Sequence, residues 1–302
     1  MQAVVHLIGA AALTALAIYL VVSEPQLRRR YYPFRAIQFP VLVGAAVLVP
    51  LNVIEAFDDP VTSWRDYTVD VLTYAVLLCA VLGAVTLRIR TPRATQPKRI
   101  LAIGAHPDDL ELACGGTLAR LADAGHEIRA LVMSAGEVGG DSSIRPSEAQ
   151  AAGRYLGLVA TEVLDFPDTR LESASNAMVA AIERNLKDFS PDVIFTHSAH
   201  DQHQDHHAVH AATLRAARRH PAILCYESPS VTAEFNPRVF VDITEYVPAK
   251  AAAVARHRDQ RTKPYMTEER VSGMAAFRGH QAKINHAEAF EPVRLRMFEG
   301  AL

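Results

Sequence analysis

Three long apolar stretches fill most of the first 87 residues, and they limit what this part of the chain can fold into. Residues 3–22 contain no Asp, Glu, Lys or Arg, and residues 39–57 and 67–87 contain one acidic residue each. At about 1.5 Å of rise per helical residue, each stretch is long enough to cross a bilayer core of roughly 30 Å. We therefore predict that residues 1–89 form a transmembrane segment of about three helices.

The second apolar stretch is the weakest candidate for a membrane span. Pro40, Pro50 and Glu55 lie within it, so a buried or re-entrant helix is the alternative. The first stretch fits a signal peptide poorly, because no basic residue precedes it and its apolar run is too long. Asp70 lies near one end of the third stretch, where we expect an interfacial carboxylate rather than a proton relay.

Basic residues predict the orientation of this segment. The loop after the first stretch and the segment after the third are both basic, through Arg28, Arg29, Arg30 and Arg35, and through Arg88, Arg90, Arg93, Lys98 and Arg99. The middle loop has Asp58 and Asp59 against a single Arg65. Because basic flanks stay in the cytoplasm, we predict a multi-pass membrane protein with its N-terminus outside and its C-terminal domain on the cytoplasmic side.

Charge and cysteine usage narrow the class of the remaining chain. The formal net charge of -2 gives no sign of a nucleic-acid-binding protein. The three cysteines, at positions 79, 114 and 225, form no even framework, which favours a reducing compartment. Residues 90–98 are polar with two prolines and are typical of a linker, so we predict a second domain over residues 99–302.

Short apolar runs alternate with helical patterns through this second domain. The predicted strands are residues 99–105, 127–135, 162–166, 191–197, 222–227 and 238–243, and the predicted helices are 109–125, 147–157, 176–189 and 205–219. This alternation predicts an α/β fold, a Rossmann-like and mainly parallel sheet with helices on both faces. Ligands in such sheets bind beyond the carboxyl ends of the strands.

Two polar clusters follow predicted strand ends. The first, "AHPDDLELACGG" at 105–116, places His106 and Asp109 three residues apart, so both side chains can converge on one ion. Adjacent carboxylates on a helical turn diverge by about 100°, which lets Asp108 face a different group from Asp109. An acidic helix cap with a chance histidine is the alternative, since acidic first turns are common.

The second cluster, "HSAHDQHQDHHAVH" at 197–210, contains six histidines. Their three-residue spacing suggests a helical zinc stripe of His203, His206 and His210. Residues 198–204 follow a strand directly, however, and are typical of a loop, in which helical spacing does not hold. We favour a site that takes one ligand from this cluster and two from the first.

The motif "HPDD" followed by "HQDHHAV" at 203–209 resembles the zinc-dependent N-acetylglucosaminyl deacetylases, the PIG-L or LmbE-like family. The resemblance covers about residues 99–295 and leaves out the apolar segment. It departs at Gln204, where the family often has Pro, and at Leu110 and Ala113. None of these changes removes a group that the chemistry needs.

The resemblance implies a role for each motif residue. His106, Asp109 and His206 would bind Zn²⁺ or another divalent metal, and Asp108 would be the general base on a zinc-activated water. His203 would stabilise the oxyanion or protonate the leaving amine, with Asp205 orienting its ring. Arg145 and Asp168 match positions that contact substrate. Two histidines and one carboxylate leave an open position on zinc, as catalytic sites do.

Three functions follow from these observations. The first is hydrolysis of the N-acetyl group of an N-acetylglucosamine-type sugar, with a lipid-linked substrate suggested by the membrane segment. The second is a zinc amidase that cleaves a larger acyl group or a thiol-sugar conjugate. The third is a non-catalytic Rossmann-like binding module or scaffold on a membrane anchor. The third is disfavoured, because the first strand leads into "GAHPDD" and not G-x-G-x-x-G.

Overall fold

The computed structural model describes residues 2–58 and 64–295, so Asp59 of the middle loop lies outside the described residues. The chain divides into two compact units, Met1–Arg90 and Thr91–Leu302. The division falls at the beginning of the polar segment that the sequence suggests as a linker.

The first unit consists of helices. They are α1 (Gln2–Val22), α2 (Glu24–Arg28), α3 (Arg35–Phe57) and α4 (Trp64–Thr86). Among the described residues, α1, α3 and α4 are long and apolar enough to cross a membrane, judged by length and composition alone. Helix α3 runs on through Pro40 and Pro50, so the second apolar stretch forms one helix of 23 residues. Insertion of these helices into a bilayer stays a prediction.

A buried polar network joins the three long helices of the first unit. Asn52 Nδ2 donates to Thr73 Oγ1 at 2.8 Å, and His6 Nδ1 lies 3.3 Å from Asn52 Oδ1. Asp70, with 27% of its side chain exposed, lies 3.2 Å from His6 Nδ1. A Cβ at Gly9 would lie 3.1 Å from Asn52 Oδ1, so the glycine allows α1 to approach closely. Asp70 therefore contacts a partner helix as well as solvent.

The second unit contains one seven-stranded sheet. Its strands are β1 (Arg99–Gly104), β2 (Glu127–Val132), β3 (Ala160–Val163), β4 (Val193–His197), β5 (Ala222–Tyr226), β6 (Val239–Asp242) and β7 (Ala287–Leu295), in the order β3-β2-β1-β4-β5-β7-β6. The pairs from β3 to β5 are parallel, and β7 runs antiparallel to both β5 and β6. The mixed α/β sheet is confirmed, but β7 was not predicted.

Helices connect the strands and cover the sheet. They are α5 (Asp109–Asp123), α6 (Arg145–Leu156), α7 (Ser175–Phe189), α8 (Gln204–Ala216), α9 (Val247–Val254) and α10 (Glu268–Ala282). Helix α5 packs against α6 and α9, and α7 packs against α8. Right-handed crossovers place these two groups on opposite faces of the sheet. The sequence pattern did not predict α9 and α10.

The strand order reverses between β1 and β4. From β1 the chain proceeds outward to β2 and β3, whereas from β4 it proceeds the other way to β5. The crevice at such a reversal is where open α/β sheets bind ligands. Gly104 and His197 end the two strands, so the two polar clusters of the sequence meet at this point.

Buried apolar side chains hold the strand ends in place. Leu101, Ile103, Leu131, Ile194 and Ile223 are completely buried and belong to one core cluster with α7 and α8. Full burial of such a side chain contributes about 1.5–3 kcal/mol. This core fixes the positions from which the polar loops emerge.

A buried ion pair links α9 to β7 and α5. Lys250 Nζ lies 2.6 Å from Glu288 Oε1, and Glu288 also accepts hydrogen bonds from the backbone N–H groups of Gly116 and Thr117. Replacing Lys250 with methionine would leave the Glu288 carboxylate buried and uncompensated. We expect a loss of about 3–5 kcal/mol in the free energy of unfolding.

Pulse proteolysis of the full chain at a series of urea concentrations measures this change. Cleavage is scored within the unit of residues 91–302. Lys187→Met, at an exposed position on α7, is the matched control and should change stability little. Equal stability of the two variants would contradict the role of the pair.

Candidate metal centre and active site

Three side chains converge at the crevice between β1 and β4. His106 lies in the turn after β1, Asp109 begins α5, and His206 lies in the first turn of α8. His106 Nδ1 lies 3.6 Å from Asp109 Oδ2, and His206 Nε2 lies 3.4 Å from Asp109 Oδ1. All three residues are buried, and one ligand atom from each lies within 4.8 Å of the others. The structure thus brings together the three sequence-predicted metal ligands.

The second nitrogen of each imidazole faces a carboxylate. His106 Nε2 lies 3.0 Å from Asp168 Oδ1 and 3.2 Å from Asp205 Oδ2, and His206 Nδ1 lies 2.9 Å from Asp201 Oδ2. Metal-binding histidines are oriented in this way, because the outer carboxylate fixes the ring and increases its basicity. These donors therefore fit a divalent cation, with two nitrogen ligands and one oxygen ligand.

The charges of the group favour a cation at its centre. Burial lowers the pKa of His206, but Asp109 and Asp201 outweigh burial and raise it to about 9. Burial disfavours the charged form of Asp109, yet His206 and His197 hold the pKa of its carboxyl well below the ordinary range. A bound cation would take the place of the proton that Asp109 and Asp201 stabilise on His206.

Asp108 lies beside the three ligands with an unusual backbone. Its φ is 131°, outside the helical region, and α5 begins only at Asp109. The two carboxylates therefore diverge because of this strained residue, not because both lie on one helical turn as the sequence pattern suggested. Such a conformation costs about 1–3 kcal/mol and is often found at functional sites. Burial and the neighbouring Asp109 raise the pKa of Asp108 to about 6.

Arg145 holds Asp108 from the side. Its Nη2 lies 3.5 Å from Asp108 Oδ2 and donates to the Pro107 carbonyl at 3.1 Å, while Nη1 donates to the Gly136 carbonyl at 2.7 Å. A Cβ at Gly136 would overlap the guanidinium, and the φ of this glycine is 71°. Arg145 lines the crevice, but its described contacts are to the protein.

His203 lies at the mouth of the site, immediately before α8. The backbone N–H of Asp205 donates to His203 Nδ1 at 3.2 Å, so a neutral ring carries its proton on Nε2. Burial and the nearby His206 lower the pKa of His203, which favours this neutral form. The residue can therefore donate a hydrogen bond from Nε2.

The carboxylate of Asp205 does not orient His203, which corrects the contact expected from the family resemblance. Its Oδ2 lies beside His106 Nε2 and accepts from the Thr169 backbone N–H at 2.6 Å, and its Oδ1 accepts from Leu171 N–H at 3.1 Å. These donors turn the carboxylate away from His203. Asp205 is therefore placed to orient His106.

Asp168 is placed in a similar way. Its Oδ1 faces His106, and its Oδ2 accepts from the backbone N–H groups of Val138 at 2.9 Å and Gly139 at 3.2 Å. Only 3% of the residue is exposed. These contacts hold His106, and Asp168 also lines the crevice, so the expected substrate contact stays a prediction.

Sequence reasoning assigned no role to Asp201. The residue is buried and accepts from Ser228 Oγ at 2.5 Å, Ser230 Oγ at 2.7 Å and the His203 backbone N–H at 3.0 Å. These bonds aim its second oxygen at His206 Nδ1. No helical or strand spacing predicts that Asp201 contacts His206, because Asp201 lies in an irregular loop.

The histidines of the second cluster lie in different environments. Helix α8 begins at Gln204, so residues 198–203 are outside the helix, as the sequence suggested. His197 is completely buried and stacks on His206 with 3.8 Å between ring centroids. His200 contacts Glu291 and His210 contacts the His197 carbonyl, away from the three converging ligands.

Asp201→Asn should weaken metal binding about 10–100-fold, because an amide orients and polarises His206 less well than a carboxylate does. Competition with a chelator of known affinity measures this change. Asp188→Asn, on the exposed side of α7, is the matched control. Unchanged metal affinity in Asp201→Asn would contradict the orienting role.

A crevice of about 270 Å³ opens over the converging residues. The residues that line it include Asp108, His203, Val138, Lys263 and Tyr265. The volume lies near the lower end of small-molecule sites, which range over about 300–1,000 Å³. A ligand of monosaccharide size fits a crevice of this kind.

Comparison with known proteins places this site in a family. Residues 101–217 match the family described as PIG-L, GlcNAc-PI de-N-acetylase. A protein of Escherichia coli K12 named uncharacterized deacetylase YaiS is 45% identical over 172 residues, which are 55% of this chain and 93% of that protein. Diacetylchitobiose deacetylase of Thermococcus kodakarensis is 27% identical, covering 60% of this chain and 76% of the relative.

Solved structures share the fold of the second unit. The conserved protein TT1542 from Thermus thermophilus is 28% identical with a TM-score of 0.60, covering 68% of this chain and 99% of that protein. The 4-carboxy-2-hydroxymuconate hydratase GalB from Pseudomonas putida KT2440 has a TM-score of 0.57 at 23% identity, covering 67% and 98%. The fold alone therefore does not specify a deacetylase. The sequence match to nearly the whole Escherichia coli relative shows that this chain belongs to the PIG-L family of de-N-acetylases.

Proposed function

We propose that this protein removes the acetyl group from an N-acetylglucosamine-type sugar by metal-dependent hydrolysis. The observation that carries the proposal is the arrangement of His106, Asp109 and His206, in which each imidazole is backed by a carboxylate. Asp108 lies next to this group without being one of its ligands. A purely structural metal site has no use for a strained, buried carboxylate at that position.

The residues around the metal position divide the work of amide hydrolysis. His106, Asp109 and His206 would hold a divalent cation, which would supply a water of lowered pKa and polarise the amide carbonyl. Asp108 accepts the proton of the attacking water, and Arg145 holds its carboxylate in place. The Nε2–H group of His203 donates a hydrogen bond to the oxyanion, and the proton taken up by Asp108 passes to the leaving amine. Asp205 and Asp168 keep the His106 ring in position.

Zinc is the metal that we propose, because two imidazoles and one carboxylate are a common catalytic zinc set. Iron(II) and other divalent ions bind similar donors, so metal content has to be measured in the purified protein. The sugar assignment follows the relatives named above as deacetylases and the size of the crevice.

Incubation of the full chain with a panel of N-acetylated hexosamines, with and without a lipid aglycone, tests the function. We expect equal amounts of acetate and free amine. Mass analysis of the released acid separates the alternatives, since a longer acid would indicate an amidase for larger acyl groups or thiol-sugar conjugates. A metal-loaded protein that releases no acid from any of these sugars would contradict the proposal.

We further propose that α1, α3 and α4 cross the membrane and place the catalytic unit in the cytoplasm. The apolar helices and the basic residues that flank them support this orientation. A lipid-linked sugar at the inner leaflet then becomes an accessible substrate.

Labelling of a Thr91→Cys variant tests this orientation. The new thiol should react with an impermeant maleimide only after the cells are permeabilised. Labelling of intact cells would reverse the orientation.

A further inference from the structure

The crevice holds a cation that the proposed hydrolysis does not use. Lys263 lines the rim and is half-buried. Within residues 2–58 and 64–295, its ammonium has no carboxylate or hydrogen-bond partner, and the Tyr265 ring centroid lies 6.0 Å from it. An anion in the crevice would give this ammonium a charged hydrogen-bond partner.

The backbone around Lys263 is fixed. Pro264 restricts the preceding residue to an extended conformation, and Lys263 has φ -76° and ψ 134°. Its carbonyl accepts from the Met266 backbone N–H at 3.1 Å, and the buried Met266 side chain packs with Val254 and Val271. Thr267 then caps α10. The lysine is therefore presented to the crevice from an anchored turn.

A second cation lies next to Lys263, but it is already engaged. A Cβ at Gly139 would lie 3.0 Å from Arg145 Nη1 and 3.6 Å from Lys263 Nζ, so both cations approach the same glycine. Arg145 is bonded to two carbonyls and contacts Asp108. Two carboxylates near this loop already have partners. Asp168 is held by His106 and two backbone N–H groups, and Asp259 accepts from the Gln260 side chain and the Asp141 N–H. The charge of Lys263 is thus left for a ligand.

Tyr265 lines the same crevice as Lys263, Asp108 and Asp109. Burial, with further contributions from Asp108 and Asp109, raises the pKa of its phenol to about 12. The ring is 36% exposed and lines the crevice. Aromatic rings at such positions offer an apolar face and a polar tip to one ligand.

We propose that Lys263 binds an anionic group, a phosphate or a carboxylate, that is joined to the N-acetylated sugar. The Tyr265 ring packs against the sugar between that group and the acetamide. The inference rests on the proposed deacetylation and specifies its substrate class as acidic N-acetyl sugar conjugates. A neutral disaccharide would leave Lys263 without a partner.

Comparison of kcat/KM for N-acetylglucosamine 1-phosphate and its neutral methyl glycoside tests the proposal. We expect the full chain to prefer the phosphate about tenfold, and kcat/KM for the phosphate to fall more in Lys263→Gln than kcat/KM for the methyl glycoside, so that the preference is lost. The matched control is Arg261→Gln, which removes an exposed positive charge two residues away and should keep the preference. A glycoside that carries a carboxylate in place of the phosphate distinguishes the two anions.

Absence of a preference in the unmodified protein, or an equal loss on both substrates in Lys263→Gln, would overturn the proposal. Calorimetric titration with N-acetylglucosamine 1-phosphate gives a readout that does not depend on turnover. If no sugar releases acetate but binding is about tenfold weaker in Lys263→Gln, the anion site stands and the proposed function fails. Equal binding by both proteins would remove the site itself.

Discussion

Asp108→Asn should lower acetate release about 10²–10⁴-fold while the protein keeps its metal. The amide is nearly isosteric with the carboxylate, but it cannot accept a proton from water. The three proposed ligands are other residues, so metal content should stay at the level of the unmodified protein. The substitution also removes a buried negative charge next to Asp109, so the free energy of unfolding should not decrease.

Parallel measurements of acetate release and metal content check this result. Asp188→Asn repeats the same chemical change on the exposed side of α7 and should retain full activity. Near-full activity of Asp108→Asn would remove the assigned general base. Loss of metal together with activity would instead make Asp108 a ligand, which the geometry does not favour.

His206→Asn should abolish both metal binding and activity. The residue supplies one of two imidazoles to the site, and its Nε2 lies 3.4 Å from Asp109 Oδ1. We expect metal content to fall from about one ion per chain to near zero after dialysis, because the remaining two ligands form an incomplete site. Elemental analysis of the dialysed protein measures this fall.

His200→Asn is the matched control from the same histidine-rich segment. Its side chain contacts Glu291 and is not among the three proposed ligands. The variant should bind metal normally. A metal loss in His200→Asn as large as that in His206→Asn would mean that the three-residue histidine spacing, and not the fold of the second unit, defines the site.

The sequence predicts the position of the site better than its inner contacts. Strands β1 and β4 are short apolar runs followed at once by polar clusters, and parallel strands bring such ends together. His106, Asp109 and His206 therefore meet where the pattern indicates. Their chemical roles stay predictions.

The carboxylates that contact the His106 and His206 rings are positioned by loops, whose sequences show no helix or strand periodicity. Asp205 turns to His106 because the Thr169 and Leu171 backbone N–H groups hold its carboxylate, and Thr169 itself has φ 63°. Asp201 reaches His206 from the loop before α8. Spacing along the chain predicts neither placement. Thr169 is 36 residues from Asp205, and Asp201, five residues before His206, lies in an irregular loop where Ser228 and Ser230 hold its carboxylate.

The strand at the antiparallel end of the sheet was missed for a different reason. Strand β7 begins with the alternation Ala287, Glu288, Ala289, Phe290, in which the acidic residue is buried against Lys250. In a sequence pattern, a glutamate within a strand predicts a position that faces solvent, although Glu288 is buried. The partner that makes its burial possible lies 38 residues earlier, on a helix that the pattern also left out.

Acetate release by the full chain after metal removal and restoration tests the central claim most directly. The chain is stripped with a chelator and assayed on the N-acetylated sugar that is cleaved best. It is then reloaded with one equivalent of zinc, or of iron(II) in a parallel sample. We predict that stripping abolishes the formation of acetate and amine, and that one divalent ion per chain restores it. Undiminished hydrolysis by protein shown to contain no metal would contradict the account.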